Sequence, residues 1–221
     1  MLSSPDIERP EPRWPAIAGV LAAASLHFAL PAGMRMGPPW LLVGIIVALL
    51  VVAVGARQLG MHDVNAHSGY AILAVLTLAL LFGLSALLIG LVHHAVPASD
   101  LLRSAAVLWL TNVLVFATWY WRIDAGGPNE RERMAAHTHG AFLFPQMAFA
   151  SPNADDATIA ENEGWRPGFV DYLFVAFNTS TAFSPTDVPV LSLWAKLTMM
   201  VQSLISITTV VLLAGRAVNI L

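Results

Sequence analysis

Apolar residues run along this chain in long blocks, separated by short polar breaks, rather than in the alternating pattern of half-buried strands. A bilayer core about 30 Å thick takes roughly 20 apolar residues of helix. Four blocks before residue 168 reach or approach that length. The first covers residues 15 to about 33 and is interrupted by His27 and Pro31. The second covers 38–55; Pro38-Pro39 suit a helix start and Trp40 suits a membrane interface. The third, 70–96, is long enough to tilt. The fourth, 101 to about 123, closes on Trp119-Tyr120-Trp121-Arg122, which predicts an interfacial aromatic belt. The C-terminal unit then has three parts: an amphipathic stretch Phe169–Phe177, a hydroxyl-rich turn Asn178–Asp187, and a long apolar helix over 191–221. Short helix, polar turn and full span are the layout of a re-entrant loop, and irregular backbone inside a bilayer is tolerated only where protein buries it or water reaches it.

The pattern predicts an all-α integral membrane protein with five transmembrane helices and a re-entrant pore-like helix and loop before the last. Its parts are a polar tail over 1–14, a three-helix transmembrane region over 15–100, and a channel-like unit over 101–221. That unit divides into an outer helix (101–123), a long polar loop (124–167), the re-entrant segment (168–190) and an inner helix (191–221). The long loop holds Glu130-Arg-Glu-Arg133, an apolar patch Ala141–Phe149 too short to span, and an acidic run of Asp155, Asp156, Glu161 and Glu163. The patch is expected in the interface or over the pore mouth. No internal repeat is present, which argues against an inverted-repeat transporter.

Composition supports the membrane assignment: 57% of the 221 residues are hydrophobic and only 11% charged, far too few charges to cover a soluble domain. The net charge of -3, with no basic run, excludes nucleic-acid binding. The absence of cysteine excludes disulfides, thiolate chemistry and cysteine-ligated metals. Residues 1–14 carry Asp6, Glu8 and Glu11 against Arg9 and Arg13, unlike the basic start of a cleaved signal peptide. The Ala-, Leu-, Val- and Arg-rich usage points to a bacterial inner membrane. Arg9, Arg13, Arg57, Arg122, Arg131, Arg133 and Arg166 fall on the N-terminal side, against Arg35, Arg103 and Arg216 opposite. The positive-inside rule then places the N-terminus and the re-entrant mouth in the cytoplasm. The arrangement of ordinary cation channels would place that mouth outside, and both orientations stay open.

Candidate chemistry is concentrated in the C-terminal unit. Asn178, Thr179, Ser180, Thr181, Ser184 and Thr186 put many hydrogen-bonding groups at membrane depth. They either line a cation path or satisfy their own turn. Asp187 at the exit would form an acidic ring in a tetramer and concentrate cations, or else sit solvated in a Pro-Thr-Asp turn. Asp171 suits the positive end of a helix dipole. Thr198, Gln202, Ser206 and Thr209 share one face of the last helix, opposite Val201, Leu204, Val211 and Ala214. Such a stripe lines water or hydrogen-bonds a neighbouring helix. Lys196 suits snorkelling to the interface, and Arg216 and Asn219 suit the helix end.

Histidines offer a rival. His62, His67, His137 and His139 fall on one side, where His62-Asp63 and His137-Thr-His139 offer metal ligands; their spacing matches no zinc motif, and solvated loop histidines are the commoner case. His93-His94, beside Pro97 and Asp100, would sense pH or cap the third helix. No nucleophile elbow, phosphate loop or zinc-protease motif is present, and no metal or cofactor is expected.

The stretch from Asp171-Tyr172 through Thr179-Ser-Thr-Ala-Phe-Ser184 to Asp187 resembles the pore region of tetrameric cation channels of the potassium-channel superfamily, which carry Thr-Thr-Val-Gly-Tyr-Gly there. The likeness covers about the last quarter of the chain plus the fourth block. More closely, the chain resembles an uncharacterised bacterial family of predicted integral membrane proteins that end in a pore-like segment with a Ser-Asp or Thr-Asp pair. The resemblance implies a homotetramer passing monovalent cations by Thr179, Ser180, Thr181, Ala182, Phe183, Ser184 and Asp187, then along Gln202, Ser206 and Thr209. Ala182 and Ser184 replace the filter glycines, whose free access to positive φ aims carbonyls at the ion, and Pro185 removes an amide donor. Weak or unusual selectivity is therefore expected. The alternative is a non-conducting scaffold or partner-binding subunit with the same fold; a metal-dependent membrane enzyme ranks behind both.

Overall fold

The computed structural model describes residues 11–92, 97–133, 140–148, 165–183 and 187–218. Eight α-helices make up the described chain: α1 (Trp14–Leu26), α2 (Pro39–Gln58), α3 (His62–Val92), α4 (Ala98–Ile123), α5 (Pro128–Arg133), α6 (Pro145–Ala148), α7 (Phe169–Thr181) and α8 (Leu193–Val218). Four of them, α2, α3, α4 and α8, are long and apolar enough to cross a membrane. Among the described residues the only β pairing is an isolated antiparallel bridge, Phe142 to Val190.

The first apolar block gives less helix than its length suggests. α1 stops at Leu26, a 3-10 turn carries the chain over His27–Ala29, and Leu30 turns extended. Pro31 is the cause, because a proline pushes the preceding residue out of the helical region. The helical run Trp14–Ala29 is therefore shorter than a bilayer core. α2 begins as expected, with Pro39 in its first turn after Pro38. α3 starts eight residues before the apolar block does. The polar stretch from His62 winds into helix because the α2–α3 hairpin satisfies it: Asn65 donates its side-chain amide to the Ala53 carbonyl at 2.8 Å.

α4 is the hub. Two-thirds of its apolar window (67%) is buried, against 17% for α2, and it packs on α1, α3, α7 and α8. This overturns the expected interfacial belt. Tyr120 is wholly buried, and Trp121 and Arg122 nearly so. The reason lies in the long loop, which folds back over the end of α4 instead of leaving it to headgroups. Arg131 of α5 donates to the carbonyls of Trp121 and Asp124 at 2.8 and 2.9 Å. The apolar patch tucks in beside it: Phe142 and Phe144 are buried against Tyr120, Tyr172 and Trp194. The patch thus closes this end of the bundle between α7 and α8.

His93, His94, His137, His139, the acidic run 155–163, Ser184, Thr186 and Asn219 lie outside the described residues, as does the Arg216 side chain.

Candidate functional site

α7 shows why its sequence makes this local structure. Phe169, Tyr172, Val175, Ala176, Thr179 and Ser180 recur at helical spacing and are buried, while Val170, Phe174 and Phe177 are exposed. The buried stripe lies on α4 and α8. At the N-terminus, the Asp171 carboxylate accepts a hydrogen bond from the Gly168 amide at 2.7 Å, the capping role that an acid suits at the positive end of a helix. One residue on, the Tyr172 hydroxyl donates to Asp124 at 2.7 Å, and the Arg131 guanidinium lies 5.2 Å from the Tyr172 ring centre. This end of α7 sits level with the end of α4.

The other end of α7 sits deeper, beside the middle of α4. There Gln202 of α8 donates its side-chain amide to the Ala176 carbonyl at 2.7 Å and to the Ser180 hydroxyl at 2.8 Å. Its side-chain oxygen accepts the Tyr120 hydroxyl. Asn112 of α4 donates to the Gln202 backbone carbonyl at 3.1 Å and to the Ser206 hydroxyl at 2.9 Å. One neutral network therefore ties α4, α7 and α8 together. After the tip the chain returns: Leu191 donates to the Ala141 carbonyl at 2.7 Å and Leu143 to the Pro189 carbonyl at 2.9 Å, near Phe142 and Tyr172. α7 and the segment around Val190 thus form a hairpin whose ends lie together beside Phe142.

The expected site residues divide sharply. Thr181, Ala182, Phe183 and Asp187 are exposed. Thr179 and Ser180 are buried, and Gln202, Ser206 and Thr209 have no exposure at all. The Thr179 and Thr209 hydroxyls bond carbonyls of their own helices, Val175 at 2.8 Å and Ile205 at 3.0 Å. Within the single chain Ser180, Gln202 and Ser206 therefore join helices, and Thr179 and Thr209 bond their own helices, which matches the second of the two readings given for these groups. The physical cause is that lipid offers no partner to a polar side chain, so the stripe turns inward. The face presented outward is apolar, with Val201, Leu204 and Val211 each about half exposed or more. A groove of about 620 Å³ runs along it, walled by Thr179, Phe183, Lys196, Met200, Leu204 and Ile207.

The left-handed backbone position also moves. Ala182 keeps right-handed helical angles, and Phe183 takes φ +53°. A bulky residue there is strained. Asn112 and Tyr120 were missed from the sequence; the available signal was a lone asparagine inside an apolar block, which demands a partner. Among the described residues, no group of three or more His, Asp or Glu side chains is placed to hold a metal. No family model matches the chain, and no curated protein or solved structure matches it either.

Proposed function

We propose that the chain is a channel-like pore subunit for monovalent cations, of weak selectivity, assembled as a homotetramer in a bacterial inner membrane. In this reading α7 and its turn are re-entrant, and α1 with its 3-10 extension is a fifth, short membrane element. One observation carries the reading. α7 has 13 residues, about 20 Å of helix at 1.5 Å per residue, and it ends in the exposed tip Thr181–Phe183 before the chain returns to its starting end. A helix that stops partway through a bilayer leaves its last carbonyls without intrahelical partners at a depth where lipid cannot satisfy them. Within the chain, Gln202, Thr181, the Ala182 amide and Ser203 meet the carbonyls of Ala176, Phe177, Asn178 and Thr179; in this reading neighbouring copies and water serve the exposed tip beyond them. The carbonyl end is also the negative pole of the helix dipole, and Asp187 adds a carboxylate, so the tip favours cations. The path then runs between subunits, past Thr181–Phe183 and Asp187 and along the apolar outer face of α8. Such a face gates by dewetting, which keeps resting conductance low.

The second reading is a non-conducting scaffold or partner-binding subunit, and the Gln202 network favours it: Gln202, Ser206 and Thr209 are buried between helices. Cation flux into liposomes holding the purified tetramer separates the two. Potassium or sodium flux that Asp187→Asn lowers at low salt supports the pore. An intact oligomer that passes neither ion, across pH and voltage, overturns it in favour of the scaffold.

A further inference from the structure

A second polar feature lies away from α7 and α8, where α1, α2, α3 and α4 meet. They enclose a cavity of about 390 Å³. Its lining is graded in the same sense on each helix. Arg13 stands just before α1, Arg57 at the end of α2, Asn65 near the start of α3 and Arg122 at the end of α4. Deeper by up to seven residues, about 10 Å of helix, the walls turn apolar with Ile17, Leu50 and Val54 among them. Val54 and its neighbour Val51 are exposed on the outside of the bundle, so the apolar part borders hydrocarbon.

Among the described residues, fewer carboxylates than arginines meet the charged end. Glu132 pairs with both Arg13 and Arg57, at 3.0 Å each. Glu11 pairs with Arg131 at 3.1 Å. Arg122 is more than nine-tenths buried; among the described residues it donates to the carbonyls of Asn65 and Ala66, at 2.6 and 3.1 Å, and lies 5.8 Å from the Tyr70 ring centre. Among the described residues, Arg13, Arg57 and Arg122 face Glu132, with Glu11 held by Arg131, so the cavity mouth carries net positive charge. The Nε of Arg13 is buried without a hydrogen-bond partner. Gly69 makes room for this arrangement: a Cβ there would fall 2.4 Å from the Arg122 guanidinium, so any larger residue would displace it.

We propose that this cavity binds an anionic phospholipid, its phosphate on Arg13, Arg57 and Arg122 and an acyl chain along Ile17, Leu50 and Val54. A buried cation pair is costly unless an anion meets it, and basic pockets between membrane helices recognise acidic headgroups. The apolar wall selects a lipid over a free anion. The site shares no lining residue with the C-terminal hairpin, so it stands whether or not that hairpin conducts.

The test is lipid retention by the full chain in detergent, read by native mass spectrometry. The probes are dioleoyl phosphatidylglycerol, dioleoyl phosphatidylcholine and inorganic phosphate. Phosphatidylglycerol should be retained at least about tenfold over phosphatidylcholine, since each unpaired arginine contributes roughly a fivefold preference. Arg57→Gln, at a partly exposed position, should cut that retention about fivefold. Val54→Trp should cut it as well with every charge in place, because the indole fills the acyl track; unchanged melting temperatures show that both variants fold. Equal retention of the two lipids overturns the site, as does indifference to either substitution. Displacement of phosphatidylglycerol by millimolar inorganic phosphate overturns the lipid in favour of a free anion.

Discussion

Two polar clusters hold α4 in place, and they are built from different chemistry. The cluster at the end of α4 is ionic: Arg131 pairs with Glu11, Asp124 accepts the Tyr172 hydroxyl, and Trp121 donates to Glu11. The cluster at its middle is neutral, an amide and hydroxyl lattice of Asn112, Tyr120, Ser180, Gln202 and Ser206. The difference follows depth. Near a helix end, headgroups and water soften the desolvation of charge, and the loop supplies counter-ions. At mid-depth an unpaired charge would cost several kcal/mol, whereas an amide needs only partners from neighbouring helices. Each cluster joins α4 to α7 in its own way: the ionic one anchors the entry of α7, and the neutral one fixes how deep its tip lies.

The largest effect should come from breaking the ionic cluster. Arg131→Met leaves Glu11 buried and unpaired, and should cost about 3–5 kcal/mol of stability, visible as a large fall in melting temperature. Adding Glu11→Leu should restore much of that loss; if the double variant is no better, the pair is not what holds the end together. The neutral cluster should respond less. Gln202→Leu strips partners from Tyr120, Ser180 and Ala176 and should cost roughly 1–2 kcal/mol. Combined with Tyr120→Phe it should show a coupling of about 0.5–1.5 kcal/mol. Strict additivity would mean that the two side chains do not meet, which would free Gln202 to face a path.

Access should sharpen the contrast with little change in stability. The chain has no cysteine, so single cysteines report cleanly. Thr181→Cys should react with a membrane-impermeant thiol reagent and Gln202→Cys should not; the reverse pattern would restore the polar stripe as a path. Thr181→Ala should leave stability within about 0.5 kcal/mol, and in flux assays it should change conductance if the tip lies on the path. The smallest effect is at the tip backbone. Phe183→Gly should relieve about 1 kcal/mol of left-handed strain, offset in part by the partly exposed ring, and should leave melting almost unchanged.

Much of the fold was legible in the order of residues. Pro38-Pro39 marked the start of α2, the apolar blocks marked α3, α4 and α8, and the spacing in Phe169–Phe177 marked α7 as a short amphipathic helix. The candidate site was legible only in part. The stripe Thr198, Gln202, Ser206 and Thr209 was correctly placed on one face, but periodicity states that residues share a face and not which neighbour that face meets. Likewise Trp119–Arg122 carried the mark of an interfacial belt, because the pattern could not foresee that Arg131 and Phe142 would return from the loop to cover it.

The sequence by itself determined that this is an all-helical chain with helices suited to a bilayer, and that its hydroxyls and amides cluster near the C-terminus. Both are local properties, set by hydropathy and spacing within one segment. Tertiary structure alone decided the direction of the polar stripe, the burial of the end of α4 and the convergence of Arg13, Arg57 and Arg122. Each of these joins residues from separate helices, and a polar group in an apolar setting takes its orientation from whichever distant partner can satisfy it.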